Sequence, residues 1–352
     1  MAKLLFVLRH RDQPWGHYGH GLSSGLRNSV RFVVEMLHLL GIQAKWVEVP
    51  DDNFIDREVK SYGPTHVILE AFWVRPEKID VLRPLHPYVT WMVRDHSETP
   101  FLANEGMAFG WVQGYLSRGV QIACNAPRAL TDMQAIGAAY GYPGLISYAP
   151  NYYPVHASRN HCTGVPHPLR ADDTLKIGCF GAIRPLKNQV GQAVAALRFA
   201  DFIGKKLEFH INSARAEQGG NPVLKNLRAI FANSPGAKLV ELGWVDHEVF
   251  LETVATMDIV MQVSFSETFN IVAADAVMCD VPVVASSEVP WLKNYALADA
   301  NSTTSMLEAL LRTLRHPRRA RLEWQRRDLT AYCQESKRIW WHRFGRGGRV
   351  PV

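Results

Sequence analysis

Short, unbroken apolar runs recur along this chain, and each is separated from the next by a stretch with helical periodicity. In the first half, Lys3–Leu8, Ala44–Val49, His66–Ala71, Val89–Val93, Val120–Cys124 and Leu145–Ala149 read as strands. Apart from Ala44–Val49, which Lys45 and Glu48 interrupt, their apolar residues are largely consecutive and not alternating, so the strands need cover on both faces. After the first strand and a polar, glycine-rich loop, Leu26, Val30, Val33, Leu37 and Leu40 form one apolar helix face, closed by Gly41 as C-cap. Buried strands separated by amphipathic helices predict a parallel sheet with helices on both sides.

The pattern breaks between Asn151 and Asp173, a proline-containing polar stretch with little periodicity, and then restarts. Strands are predicted at Leu175–Phe180, Lys206–Ile211, Lys238–Leu242, Ile259–Val263 and Val281–Ala285. Helices are predicted at Gln189–Ala200, Val223–Ala232, Glu248–Thr256 and Phe269–Cys279. The fold class is therefore α/β, with two Rossmann-like domains. Residues 1–150 form the first, 151–173 a linker, 174–315 the second, and 316–352 a helical, basic C-terminal segment. A length of 352 residues suits two domains. Two parallel sheets joined in this way are expected to face a cleft between their C-terminal edges, where open α/β sheets bind ligands.

Composition narrows the class. With 47% hydrophobic and 20% charged residues the chain is an ordinary globular one, neither disordered nor collagen-like. No run of about 18 apolar residues occurs, and the apolar start before Arg9 is too short for a signal-peptide core. The five cysteines are odd in number, far apart and without a CxxC pair, which suits reduced thiols in a cytoplasmic protein. The fourteen histidines form neither an HExxH motif nor a cluster with metal-ligand spacing, so no metal is expected. The net charge of +6 is localised. His316–Arg349 holds ten Lys or Arg against Glu323, Asp328 and Glu335, and the rest of the chain is about neutral. Such a segment suits either a solvated helix or contact with a polyanion.

The most informative stretch is Ser264–Leu292, SFSETFNIVAADAVMCDVPVVASSEVPWL. It reads as a polar turn after a strand, a helix, a turn at Asp280 and another strand. The turn is expected to leave the amides of Thr268, Phe269 and Asn270 at a helix N-terminus, where an anion binds well. Glu267 lies in the turn, with Asp275 eight residues further on. Two carboxylates flanking an anion-binding helix start suit a ligand that carries both phosphate and hydroxyl groups, as a nucleotide sugar does.

This stretch resembles the donor-site motif of retaining glycosyltransferases of the two-domain GT-B fold, family 4 type. In that pattern a Glu is followed, after seven residues, by a second Glu, then by a helix leading to Gly-x-Pro-Val-Val-Ala. Glu267 matches the first Glu, and Asp275 stands at the second. Asp280 stands where the glycine is usual, ahead of Val281-Pro282-Val283-Val284-Ala285. The resemblance implies that Glu267 meets sugar hydroxyls and Asp275 the ribose. Other segments fall in the family's order. Gly181, Arg184 and Lys187 resemble the residues that hold the diphosphate and stabilise the leaving nucleotide. Trp244 and Val245 resemble the loop that reaches the base, Pro150-Asn151 the start of the linker, and His96 the active-site histidine of the N-terminal domain. Gly21, in the polar loop before the first helix, would face the donor phosphate. His96, Glu267, Arg184 and Lys187 are thus the candidate catalytic residues.

The implied activity is transfer of a sugar from a nucleotide-diphosphate donor, a UDP-sugar by resemblance, to an acceptor hydroxyl, with retention. The donor is a substrate, no cofactor is required, and the lack of any DxD sequence argues against a metal-bridged diphosphate. Acceptor candidates are Trp15, Tyr18, Phe72, Trp73, Asp95 and Glu98. HYGHGLSSGL and VRDHSETPFLANEG resemble virus-encoded, DNA-modifying transferases, which favours hydroxymethylpyrimidine in double-stranded DNA as acceptor, with the basic segment making phosphate contacts. A polysaccharide, lipid-linked or protein acceptor is the alternative. A nucleotide-sugar epimerase and a catalytically inactive sugar- or DNA-binding module are alternatives of other classes.

Overall fold

A computed structural model describes residues 2–10, 25–155, 174–315 and 317–345. The described residues divide into two compact units, one of residues 2–10, 25–154 and 332–345, the other of residues 155, 174–315 and 317–331.

The first unit runs β1 (Lys3–Arg9), α1 (Gly25–Leu39), β2 (Gln43–Val49), α2 (Ile55–Tyr62), β3 (His66–Glu70), α3 (Lys78–Leu85), β4 (Thr90–Asp95), α4 (Thr99–Leu102), α5 (Ala108–Ser117), β5 (Gln121–Cys124), α6 (Pro127–Ala139) and β6 (Ile146–Tyr148). Its strands form one six-stranded sheet in the order β2-β1-β3-β4-β5-β6, and every pairing is parallel. The continuous apolar runs have their predicted consequence. Leu5 and Val7 of β1 pack into a core with Val67, Leu69, Val93 and the helix residues Ile55, Val59, Ile79 and Leu82. Leu4, Phe6 and Leu8, pointing the other way, are also buried.

The second unit runs β7 (Thr174–Gly178), α7 (Gln189–Phe202), β8 (Lys206–Asn212), α8 (Gly220–Ala232), β9 (Ala237–Leu242), α9 (His247–Ala255), β10 (Ile259–Gln262), α10 (Ile271–Met278), β11 (Val283–Ala285) and α11 (Thr303–Arg315). The sheet order is β11-β10-β7-β8-β9, again all parallel. Strand order reverses between β7 and β10, so the segments that follow these two strands leave a crevice at their C-terminal ends.

The last helix, α12 (Arg318–Phe344), begins in the second unit and ends in the first. In the second unit, fully buried Gln325 hydrogen-bonds both backbone groups of Val283: its Nε2 donates to the carbonyl (2.7 Å), and its Oε1 accepts from the amide (3.1 Å). β11 is an edge strand, and this one side chain takes the place of a further strand there. In the first unit, buried Trp340 donates Nε1–H to the carbonyl of Pro150 (2.9 Å) and stacks on Phe344.

The basic charge of α12 is largely consumed within the protein. Arg318 donates to the carbonyls of Asp258 (3.0 Å) and Asp280 (2.9 Å), Arg321 to that of Arg312, and Arg326 pairs with Asp280. Arg343 donates to Ser147 Oγ (2.7 Å) and Gln121 Oε1 (2.6 Å). Asp280 has φ +61°, a left-handed geometry that explains why glycine is usual there. The carbonyl and carboxylate contacts from Arg318 and Arg326 hold it in place. Cys124, Cys179, Cys279 and Cys333 are buried, and Cys162 lies outside the described residues.

Candidate active site

At the reversal point of the second sheet, the segments after β7 and β10 carry most of the residues singled out in the sequence. Gly181 has φ +108°, a conformation that favours glycine, and its N–H donates to Asn212 Oδ1 (3.0 Å). Space is open where a Cβ would stand, so it is the backbone geometry and not crowding that calls for glycine. The chain then makes a tight turn at Pro185–Lys187, with Arg184 half-buried at its start. Asn188 closes the turn at φ +55°, and its Nδ2 donates to the carbonyls of Val263 (3.1 Å) and Ala300 (2.8 Å). The Phe265 amide donates to the Leu186 carbonyl (2.9 Å). The two segments are thereby stitched together, and Lys187 forms an ion pair with Glu267. Glu267 also accepts from Ser264 Oγ (2.9 Å). A lysine and a carboxylate from turns eighty residues apart in sequence thus meet at the crevice, with both side chains partly exposed.

The helix after Glu267 departs from expectation. α10 begins at Ile271 and not at Phe269, because Asn270 takes φ +61° and caps the helix itself. Its Oδ1 accepts the Ala273 N–H (2.8 Å), and its Nδ2 donates to Gln262 Oε1 (2.8 Å). Phe269 is a core residue whose carbonyl accepts from Trp291 Nε1 (2.8 Å). The amides of Thr268, Phe269 and Asn270 therefore precede the first turn of the helix. The first-turn amides belong to Ile271 and its successors, and one of them is already capped.

Asp275, assigned to the ribose by resemblance, lies within α10. It is 1% exposed, and its Oδ1 is held by Nε2 of His247 at 2.9 Å. His247 opens α9, directly after the loop with Trp244 and exposed Val245. The Arg215 guanidinium lies over the Trp244 ring, 4.8 Å from its centre, and pairs with Glu217 (2.5 Å). His247 was missed in the sequence. The available signal was its place immediately after that loop.

In the first unit, His96 follows β4 and its imidazole is fully occupied. Nε2 meets the Glu70 carboxylate, and Asn125 Nδ2 donates to Nδ1 (3.0 Å). Burial pushes the His96 pKa down, and a neutral ring with its proton on Nε2 satisfies both partners. Glu70, at the end of β3, is completely buried and also takes Arg94 Nη1 (3.4 Å). Arg94, equally buried, donates to the Ala149 and Pro150 carbonyls (3.0 and 3.1 Å) and to Asn151 Oδ1 (2.5 Å). Glu70 went unnoticed in the sequence, although a carboxylate directly ending the apolar run HVIL was a visible signal.

Asp95 and Glu98, the acceptor candidates, flank this histidine. Asp95 is 1% exposed. Its Oδ1 accepts the Ser97 amide (2.9 Å), while Oδ2 has no hydrogen-bond partner among the described residues. Burial pushes its pKa up to about 7, helped by the charges of Glu98 and Glu105. Burial raises Glu98 to about 7 as well. Phe72 and Trp73 pack against the core of this unit. Trp15, Tyr18 and Gly21 lie outside the described residues. Among the described residues no group of three or more His, Cys, Asp or Glu is arranged to hold a metal ion, and no helix is long and apolar enough to cross a membrane.

No protein-family model matches the chain, and no curated protein matches it in sequence. Solved structures do. A UDP-forming α,α-trehalose-phosphate synthase from Burkholderia xenovorans superposes with a TM-score of 0.68 at 12% identity, over 97% of both chains. The chain has the GT-B fold. The E. coli trehalose-6-phosphate structure bound with UDP-2-fluoro glucose gives 0.68 at 9% identity over 97% of both chains. A trehalose-6-phosphate synthase structure from a study of glycosyl transfer with retention, using bisubstrate glycomimetics, gives 0.66 at 11%, over 96% of this chain and 97% of that one.

Proposed function

We propose that this GT-B chain is a retaining glycosyltransferase that moves a sugar from a nucleotide-diphosphate donor to an acceptor hydroxyl. The observation that carries the reading is the Lys187–Glu267 pair beside Gly181 and Arg184, at the reversal point of the second sheet. Open α/β sheets bind ligands there. The pair supplies a cation for phosphate and a carboxylate for sugar hydroxyls. The structural neighbours include a UDP-forming synthase and a structure bound with UDP-2-fluoro glucose, which supports a UDP-sugar as donor.

In the transfer, the bond from the anomeric carbon to the donor phosphate breaks and the bond to the acceptor oxygen forms. The hydroxyl proton passes to the departing phosphate on the same face. Arg184 and Lys187 face the negative charge that grows on the leaving nucleotide, the role that needs fixed cations most. Glu267 holds Lys187 in place and is itself fixed by Ser264.

The acceptor is a hydroxyl compound, and the reading of hydroxymethylpyrimidine in DNA rests on sequence resemblance. The arginines of α12 lend it little support, since Arg318, Arg321, Arg326 and Arg343 are bound within the protein. The test is a product assay with UDP-, GDP- and ADP-sugars against hydroxymethylated duplex DNA, sugar phosphates and oligosaccharides, with the anomeric configuration read by NMR. A mass gain of one sugar on any acceptor, in the donor's own configuration, is the expected result. Inverted product overturns the retaining mechanism, and free sugar as the sole product overturns transfer.

A further inference from the structure

The nucleotide reading leaves one group unaccounted for, the imidazole of His247. Its helix, α9, is seated on two sides. Phe250 packs edge-on against Phe180, the residue before Gly181, with ring centres 5.3 Å apart. On the other side His247 meets Asp275 of α10, and the Cys279 thiol meets the Leu251 carbonyl (3.6 Å). His247 and Phe250 are three residues apart and so share one helix face. The imidazole therefore lies between the glycine turn after β7 and the helix that follows Glu267. Its side chain is 14% exposed, whereas that of Asp275 is 1% exposed. The group this part of the crevice offers to a ligand is thus the imidazole and not the carboxylate behind it.

We infer that His247, oriented by Asp275, contacts the ribose hydroxyls of the nucleotide. Nucleotide-binding α/β sheets commonly meet ribose hydroxyls with an acidic side chain. Here the aspartate is buried and committed to His247 Nε2, and the imidazole extends its reach by one ring. Asp275 acts through that ring as a positioning residue, fixing its orientation as second partners do for histidines in binding sites. The inference rests on the nucleotide-diphosphate reading of the same site.

The experiment is calorimetric titration of the full chain with pyrophosphate, with UDP, and with 2′,3′-dideoxy-UDP, ADP and GDP replacing UDP if they bind better. His247→Ala is expected to weaken UDP about tenfold, the loss of one good hydrogen bond. It is expected to leave pyrophosphate unchanged, which also reports an intact phosphate cradle, and to leave dideoxy-UDP within about twofold of wild type. The double variant His247→Ala/Asp275→Glu, whose longer carboxylate enters the vacated space, is expected to recover part of the UDP affinity. Equal weakening of UDP and dideoxy-UDP by His247→Ala overturns the ribose contact while leaving the nucleotide reading intact. A wild-type protein that binds no nucleoside diphosphate removes both.

Discussion

Replacing Asp95 by Asn tests the electrostatics of the histidine site. Asp95 is 1% exposed, with its carboxyl pushed up to about 7 by burial and by the neighbouring carboxylates of Glu98 and Glu105. An unfolded aspartate titrates near 4. Between those values the folded chain holds a proton that the unfolded chain has released, so stability falls as pH rises through the window. The full penalty is on the order of 4 kcal/mol above pH 7, and between pH 5 and pH 8 it grows by roughly 2–3 kcal/mol. An Asn side chain keeps the acceptor for the Ser97 amide and has nothing to titrate. Any mispairing of its amide adds a constant, so the informative quantity is the pH dependence of the difference. Urea unfolding of both proteins at pH 5 and pH 8 reads it. Asp95→Asn is expected to gain on wild type by that amount as pH rises. A difference that is the same at both pH values refutes the reasoning and means that Asp95 ionises as an ordinary carboxylate.

Other perturbations bear on the remaining parts of the account. Gln325→Leu leaves both backbone groups of Val283 unpaired in a buried setting and is expected to cost about 2–5 kcal/mol in urea unfolding; a loss below 1 kcal/mol contradicts the edge-strand role. Charge reversal at exposed Arg319 and Arg327 is expected to leave the melting temperature within about two degrees of wild type, whereas Arg326→Glu, facing Asp280, lowers it clearly; equal effects contradict the division of α12 into used and solvated arginines. Sugar transfer is expected to survive EDTA, since the proposed function gives the diphosphate to Arg184 and Lys187; complete loss restored by Mn or Mg contradicts that assignment.

The β/α alternation was legible because both sheets are parallel and their central strands are covered, so most strands appear as apolar runs, with charged residues inside β2, β7, β8 and β9. Strand ends shifted by only a residue or two, as at β4, where the chain continues in sheet to Asp95. The start of α10 was misread because Asn270 adopts a left-handed conformation, which hydrophobic periodicity does not register. Lys187 and Glu267 were found through motif spacing, but their pairing depends on two loops being stitched by Asn188 and Phe265, a tertiary event. Glu70 and His247 escaped for the same reason, since each owes its role to a partner far away in sequence, His96 for one and Asp275 for the other. The excess charge of α12 was legible in the sequence, but whether it makes a solvated helix or a polyanion contact was left open there. Most of its arginines end on carbonyls or carboxylates that no local pattern announces.

The central claim is that a nucleotide-sugar donor is bound and activated at Lys187 and Glu267. It is tested most directly by measuring nucleoside diphosphate released from UDP-glucose, and from a panel of other nucleotide sugars, by wild type, Lys187→Met and Glu267→Gln. Folding of each variant is checked by circular dichroism. The account predicts turnover by wild type and a loss of about 100-fold or more in each variant, the scale expected when one fixed charge at a developing anion is removed. Wild-type rates in both variants, or no release from any nucleotide sugar with any acceptor, contradict it.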